Sequence, residues 1–478
     1  MMKTEPLRRP ISCFLVALWL NCLPASAQTV EFATLHGFAY TNGINPAASL
    51  VLSGGVLYGT TKTGGENGYV TGSGSVFKVN PDGSGYSTLR VFTNGPDGGQ
   101  LDGGLTLAGK MLYGPALFGG SSNYGTIFGI GTNGASMTNL FSFPALGGDF
   151  PYPNGPGAYP EAGFVLDGNT LYGLAQGGGI NGWGTIFSLN TNGGSFTNLH
   201  NFTFRDGQNP TSPLLFSGGM LFGSTASGGA NAVGTLFKVS TNGVGFTNLY
   251  SFSYQGGYPY TNSDGANPLG ALIRVGNTLY GTASSGGSNA CGTVFAINTD
   301  GSGFAPLHQF SGLAGVLQTN RDGANPQSGL VLYGNALYGT AVNGGQFGNG
   351  TVFRLNLDGT GFSVLYQFTA ANNVAGTNAD GAHPSGGLIE SGGVLYGTAS
   401  AGGLEGFGTV FSLLVPPPLE IAQMGTKVIV SWPTSVSGFS LQSAISLAPP
   451  ITWTTISGQH AVTNAITGKQ MFFRLTHH

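Results

Sequence analysis

The 478-residue chain carries 86 glycines, only 7% charged residues and a formal charge of −3. So little charge excludes a solvated disordered tail, and a composition this rich in glycine excludes a helical protein, which needs Ala, Leu, Glu and Lys. With 40% hydrophobic and 11% aromatic residues there is material for a large core, and many short strands joined by glycine turns are the expected build.

In chain order, Lys3, Arg8 and Arg9 precede an apolar stretch, Ile11 to Leu20, that is too short to span a bilayer, and Ala25-Ser26-Ala27 fits a small-x-small cleavage site. Residues 1–27 therefore read as a signal peptide, and a secreted, periplasmic or cell-surface location is expected. Trp19-Leu20-Asn21 lacks the small residues that precede a lipid-modified cysteine, so soluble export is expected over anchoring at Cys22. Cleavage leaves 12 basic against 17 acidic residues with no basic run, which argues against nucleic acid as a partner. No later segment is long and apolar enough to be a transmembrane helix. Cys291 remains alone, so no disulfide forms within the mature chain.

From residue 30 onward the sequence repeats. Leu-Tyr-Gly recurs at Tyr58, Tyr113, Tyr172, Tyr280, Tyr338 and Tyr396, with Phe222 replacing the tyrosine once. Gly-Thr-Val-Phe or a variant ends at Phe77, Phe128, Phe187, Phe237, Phe295, Phe353 and Phe411. A third motif, F-x-x-L-x-x-F with Tyr86 and Met137 in place of the first phenylalanine, ends at Phe38, Phe92, Phe143, Phe202, Phe252, Phe310 and Phe368. One repeat reads as four strands, in the sixth 329–332, 336–341, 351–356 and 362–368, with tight turns at Gly334-Asn335 and Asp358-Gly359. The seventh repeat lacks its fourth strand, and Phe32 to Phe38 matches Phe196 to Phe202, so the N-terminal strand is expected to complete it. A seven-bladed β-propeller over residues 28–414 follows, closed by an N-terminal strand that leaves no open edge at the junction.

The pattern L-Y-G-T-x-x-x-G-G-x-x-x-x-G-T-V-F, as in Leu337 to Phe353, resembles the GloVer tandem repeat of exported bacterial proteins with interchangeable C-terminal anchors. The resemblance covers residues 30 to 413 and implies a secreted or surface propeller, and it brings no catalytic residues with it. After a proline-rich linker at 415–418, residues 419–478 lose the repeat. They read as a small C-terminal β-sandwich-like module with strands near 426–432, 439–443, 451–456 and 471–475. At about 60 residues such a module is marginal alone and is expected to lean on the propeller or on a partner.

Loop lengths separate two faces. Twelve residues always run from the position of Pro46, Leu101, Pro160, Pro210, Pro268, Pro326 and Pro384 to the next Leu-Tyr-Gly aromatic, and 15 from third-strand to fourth-strand Phe. The blade-to-blade connections range from 8 to 17 residues, and the second-to-third strand loop of repeat one is four longer than the others. Both variable loop types emerge on one face, which is the expected binding face. Long connections enter repeats three, five, six and seven. With the longer loop of repeat one, they predict a lopsided cup on the side of repeats five, six, seven and one. The candidate binding residues are Glu66, Tyr69, Trp183, Tyr254, Tyr258, Tyr260 and Arg321, with Phe150, Tyr152 and Tyr159 in the connection entering repeat three. Exposed rings among Asn and Gly suit sugar faces, so a surface glycan or a surface protein is the expected partner and a non-catalytic binding or scaffolding role the expected function. A polysaccharide lyase or hydrolase using the cup, or a purely structural surface protein, are the alternatives.

Ten of the eleven aspartates precede glycine, which reads as turn chemistry and argues against a paired-carboxylate hydrolase or a carboxylate cluster near the axis. T-N-x-D-G at 261–265, 319–323 and 377–381 resembles a calcium loop without its acidic closing ligand, so turns are expected rather than a calcium cofactor. His36, His200 and His308 fall at one position of the fourth strand in different blades and cannot converge on a metal. His383 stands at a turn position. Cys291 aligns with apolar residues and is expected to be a buried thiol.

Overall fold

The computed structural model describes residues 30–65, 73–148, 150, 152–254, 256, 261–372, 376–417, 420–424, 427–432, 439–445, 451–456, 461–465 and 472–477. The signal-peptide reading of residues 1–27 lies outside them. Among the described residues the regular structure is strand throughout, in seven four-stranded antiparallel sheets and two three-stranded ones. This is a seven-bladed β-propeller.

Blade 6 shows the plan, with strands Val331–Tyr333, Ala336–Ala341, Thr351–Asn356 and Ser363–Gln367. The second and third strands have the bounds the sequence predicts, whereas the first is shorter because its leading residues turn along the axis. In blade 7 the fourth place is taken by Glu31–Gly37, paired antiparallel with Thr409–Leu414 from Glu31↔Leu414 to Gly37↔Thr409. Every third-to-fourth strand pairing carries one register shift, which leaves the motif leucine (Leu35 or Leu199, for instance) as a bulged residue.

The motifs explain themselves as packing. The third-strand phenylalanines are wholly buried, the fourth-strand ones at most 1% exposed, and the Leu-Tyr-Gly aromatics at most 7%. The glycine after each of those aromatics lies under a ring. A Cβ on Gly281 would stand 2.6 Å from Phe295 Cζ, and one on Gly339 2.7 Å from Phe353 Cζ, so no larger residue fits.

Neighbouring blades are joined by parallel ring stacks. His36 stacks on Tyr86 at 3.5 Å, Phe141 on Phe196 at 4.2 Å, His200 on Phe246 at 3.7 Å and Tyr250 on Phe304 at 3.9 Å. His308 stacks on Phe362 at 3.6 Å, and Tyr366 on Phe32 of the closing strand at 3.9 Å. The fourth-strand histidines are thus structural rings at blade interfaces.

The C-terminal residues form two sheets, Glu420–Met424 with Lys427–Ser431 and Ala461–Ala465, and Thr454–Ile456 with Phe439–Ala444 and Phe472–His477. Val430, Trp432, Leu441 and Leu475 make their small shared core. Phe439 also packs on the core between blades 6 and 7, near Tyr333 and Leu395. The module therefore leans on the constant face, where the first-to-second strand turns lie.

Candidate functional site

The loops of the variable face are fixed by a repeated set of bonds. The residue before each axial segment is left-handed in all seven blades: Asn45, Gln100, Tyr159, Asn209, Asn267, Asn325 and His383, with φ between 53° and 60°. Asparagine tolerates that conformation best, and His383 occupies it as a turn residue. Farther back, a glycine of positive φ brings the connection onto the third strand; a Cβ on Gly265 would stand 2.5 Å from Thr293 Oγ1. The threonine of Gly-Thr-Val-Phe then donates to the preceding carbonyl, Thr293 to Asp264 at 3.0 Å and Thr409 to Asp380 at 3.0 Å.

The aspartates of these connections serve their own blades. Asp264 accepts from Tyr250 Oη at 2.7 Å, from Ser253 N at 2.8 Å and from Ser253 Oγ. Asp380 repeats this with Tyr366 and Thr369, Asp322 takes His308 and Ser311, and Asp97 takes Arg90 and Thr93. In the T-N-x-D-G segments Asn262 and Asn320 donate to two carbonyls each and accept from two backbone amides. The side-chain oxygens of these segments accept from the protein's own donors. In blade 7 His36 meets Asn42 rather than an aspartate, at 3.3 Å, and burial pushes its imidazole down to about 4. Cys291 is buried and its thiol is raised by burial.

The axis is built differently. One position after the motif proline, the seven blades place Ala47, Asp102, Glu161, Thr211, Leu269, Gln327 and Ser385 around a cavity of about 440 Å³. Below that ring the lining narrows to Ala48, Gly103, Gly104, Ala162, Gly163, Gly270 and Gly329, then to Leu50, Leu105, Phe164, Leu330 and Leu388. Small residues are required there because blades meet backbone to backbone: a Cβ on Gly103 would lie 2.4 Å from the Glu161 carbonyl. Hydroxyls of the second strand bridge to the next blade, Thr282 to the Ser328 carbonyl at 2.8 Å and Thr398 to the Ala48 carbonyl at 3.0 Å.

Lys62, in the second-to-third strand loop of blade 1, places Nζ 3.0 Å from Asp102 Oδ2. The contact is an ion pair rather than an aligned hydrogen bond, and no other polar partner reaches that buried oxygen. The Asp102 side chain is 10% exposed. Burial raises its carboxyl, with Lys62 pulling the other way. Glu161 of the next blade is pushed up to about 7, first by burial and then by the Asp102 charge, against a smaller pull from Lys62. Thr211 Oγ1 and Ser385 Oγ are buried and have no hydrogen-bond partner. This corrects the reading of every Asp-Gly pair as a turn: Asp102-Gly103 lies on the axial segment, and two carboxyls do converge there. The signal was available in the repeat alignment, where Asp102 and Glu161 follow the proline position while the turn aspartates do not.

Elsewhere on the variable face, Tyr40 meets Phe407 at 4.0 Å between blades 7 and 1, and a larger group of rings meets at blades 3 and 4. Phe150 packs edge-on to Trp183 at 5.5 Å and to Tyr152 at 5.9 Å, and Trp183 reaches Phe204 at 5.7 Å. Phe150 is 69% exposed, Tyr152 is also exposed, and Trp183 is half-buried between them and the blade 3–4 core. Phe204 carries no signal in loop length, since its connection is among the shortest. Tyr159 turns inward onto Phe118 and Tyr124. Tyr254 and Arg321 are exposed on the connections entering blades 5 and 6. Glu66, Tyr69, Tyr258 and Tyr260 lie outside the described residues. Of the ten large exposed apolar residues described in the propeller, all but Val244 sit on variable-face loops.

The fold and its two unequal faces define a closed tandem-repeat β-propeller. The model of the Gloeobacter/Verrucomicrobia repeat matches residues 24–155, 150–318 and 258–448, and the chain belongs to that family. No curated protein matches it. Among solved structures it is similar to an oligogalacturonate lyase in complex with manganese, at 9% identity and TM-score 0.46, covering 82% of this chain and 95% of that one. It is also similar to a chain of a nidogen/laminin complex, at 13% identity and TM-score 0.38 over 62% and 91% of the two chains. TolB from Acinetobacter baumannii matches at 13% identity and TM-score 0.35, over 60% and 58%.

Proposed function

We propose that this is an exported, non-catalytic binding propeller that engages a surface glycan through its variable face. The supporting observation is the joined set of Tyr152, Phe150 and Phe204 around half-buried Trp183, whose exposed rings offer flat faces for the C–H surfaces of sugars. The concentration of exposed apolar residues on that face points the same way. A surface protein is the alternative partner, and the same rings would then form its contact. On a glycan array the mature chain is expected to retain a defined subset of polysaccharides, and the double variant Phe150→Ala, Trp183→Ala to lose them by about tenfold or more. Unchanged retention sinks the reading. Release of reducing ends or unsaturated sugars from a retained glycan would turn it toward a hydrolase or lyase.

A further inference from the structure

At the mouth of the axial channel three features coincide. The first is charge: the carboxyls of Asp102 and Glu161 face a single cation, Lys62, which is itself 40% exposed. The second is hydrogen bonding: Thr211 Oγ1 and Ser385 Oγ are buried without partners on the same cavity, and Gln327 lines it beside them. A native interior leaves few such atoms unsatisfied, and two of them converging on one cavity call for a partner there, a bound molecule or water. The third is size: about 440 Å³ falls in the range of small-ligand pockets, ~300–1,000 Å³.

We propose that the channel mouth is a binding site for a small primary ammonium compound that also carries hydroxyl groups, its cation seated between Asp102 and Glu161 and its hydroxyls on Thr211 and Ser385. The site is rich in acceptors and carries one more carboxyl than cation. A ligand that brings both a positive charge and donors pairs with an ionised Glu161 and with the hydroxyls, whereas a neutral polyol gains no charge pairing there. Because burial and the Asp102 charge push Glu161 up to about 7, its carboxyl is mostly protonated at a pH of about 6, and an arriving cation expels that proton. The inference does not depend on the glycan reading of the outer rings.

The test is calorimetric titration of the mature chain with glucosamine, with glucose and N-acetylglucosamine as probes of the same skeleton that lack the charge. Glucosamine is expected to bind with one site per chain, and both neutral sugars to bind at least about tenfold more weakly. At a pH of about 6 the heat should depend on the buffer, as proton release requires, and Glu161→Gln should abolish that dependence along with most of the affinity. Lys62→Met removes the competing ammonium and should tighten binding, an outcome that a merely destabilised site would not give. Unfolding curves for both variants separate lost binding from lost folding. Equal affinity for glucose and glucosamine, unaltered binding in folded Glu161→Gln, or no binding of glucosamine overturns the proposal.

Discussion

The turn aspartates of the rim and the polar ring at the axis treat buried polar atoms in opposite ways. At the rim, Asp264 is 4% exposed and holds three donors from blade 4, the blade its connection leaves, and Asp322 and Asp380 repeat the arrangement on blades 5 and 6. At the axis, Thr211 and Ser385 bury hydroxyls that nothing meets, and Asp102 has only a partly exposed lysine. The rim residues recur from blade to blade because each blade needs the same connection. The axial ring changes at every blade, from Ala47 to Ser385, so its chemistry is free of the fold's demands. In a tandem repeat, polar residues that recur are fastenings, and polar residues that break the pattern are where a ligand is to be sought.

The sharpest way to break this distinction is at a fastening. Asp264→Ala strands Tyr250 Oη and the Ser253 amide together, and loss of charged hydrogen bonds of this kind is expected to cost about 3 kcal/mol in urea unfolding. A cost near zero would mean that the rim network is ornament to the packing.

Much of this was legible from sequence. The blade count, the closing strand, the limits of the second and third strands of blade 6 and the existence of a variable face all follow from three motifs and constant spacings, because packing around Phe295 or Gly281 tolerates no drift. The site was less legible. Asp102 looks like any Asp-Gly turn until its place after the proline position is weighed, and its approach to Glu161 is set by the packing of neighbouring blades across 59 residues of sequence. Phe204 was hidden for another reason: ring contact between Trp183 and Phe204 depends on how adjacent blades splay, which loop length does not report. In the C-terminal module, strands Glu420–Met424 and Ala461–Ala465 lack aromatic punctuation and passed for connections.

Acid titration reads rim and axis with opposite signs. His36 at the rim has a folded value of about 4 against an ordinary 6.5, so the unfolded chain binds the extra proton between them and stability rises with pH through that window. Glu161 at the axis has a folded value of about 7 against 4.5, so the folded chain holds the extra proton and stability falls with rising pH through its window. Over the shared range the two single-proton effects oppose each other. Glu161→Gln should therefore leave a stability that climbs with pH, and His36→Phe, which copies the ring Phe141 places there in blade 2, one that declines. Identical pH profiles for the two variants would remove the contrast.

The smallest expected effect is the most discriminating, because it makes one chemical change at both places. Thr293→Val at the rim deletes a hydroxyl that donates to the Asp264 carbonyl at 3.0 Å, and should cost about 1 kcal/mol. Thr211→Val at the axis deletes a hydroxyl with no partner, so little is lost and the change should fall within about 0.5 kcal/mol of neutral or stabilise. Urea midpoints of the two variants measure the difference directly. If Thr211→Val costs as much as Thr293→Val, that hydroxyl has a structural partner and the axial ring is a fastening like the rest. If it costs nothing while glucosamine binding weakens, the fold has kept a hydroxyl that only a ligand uses.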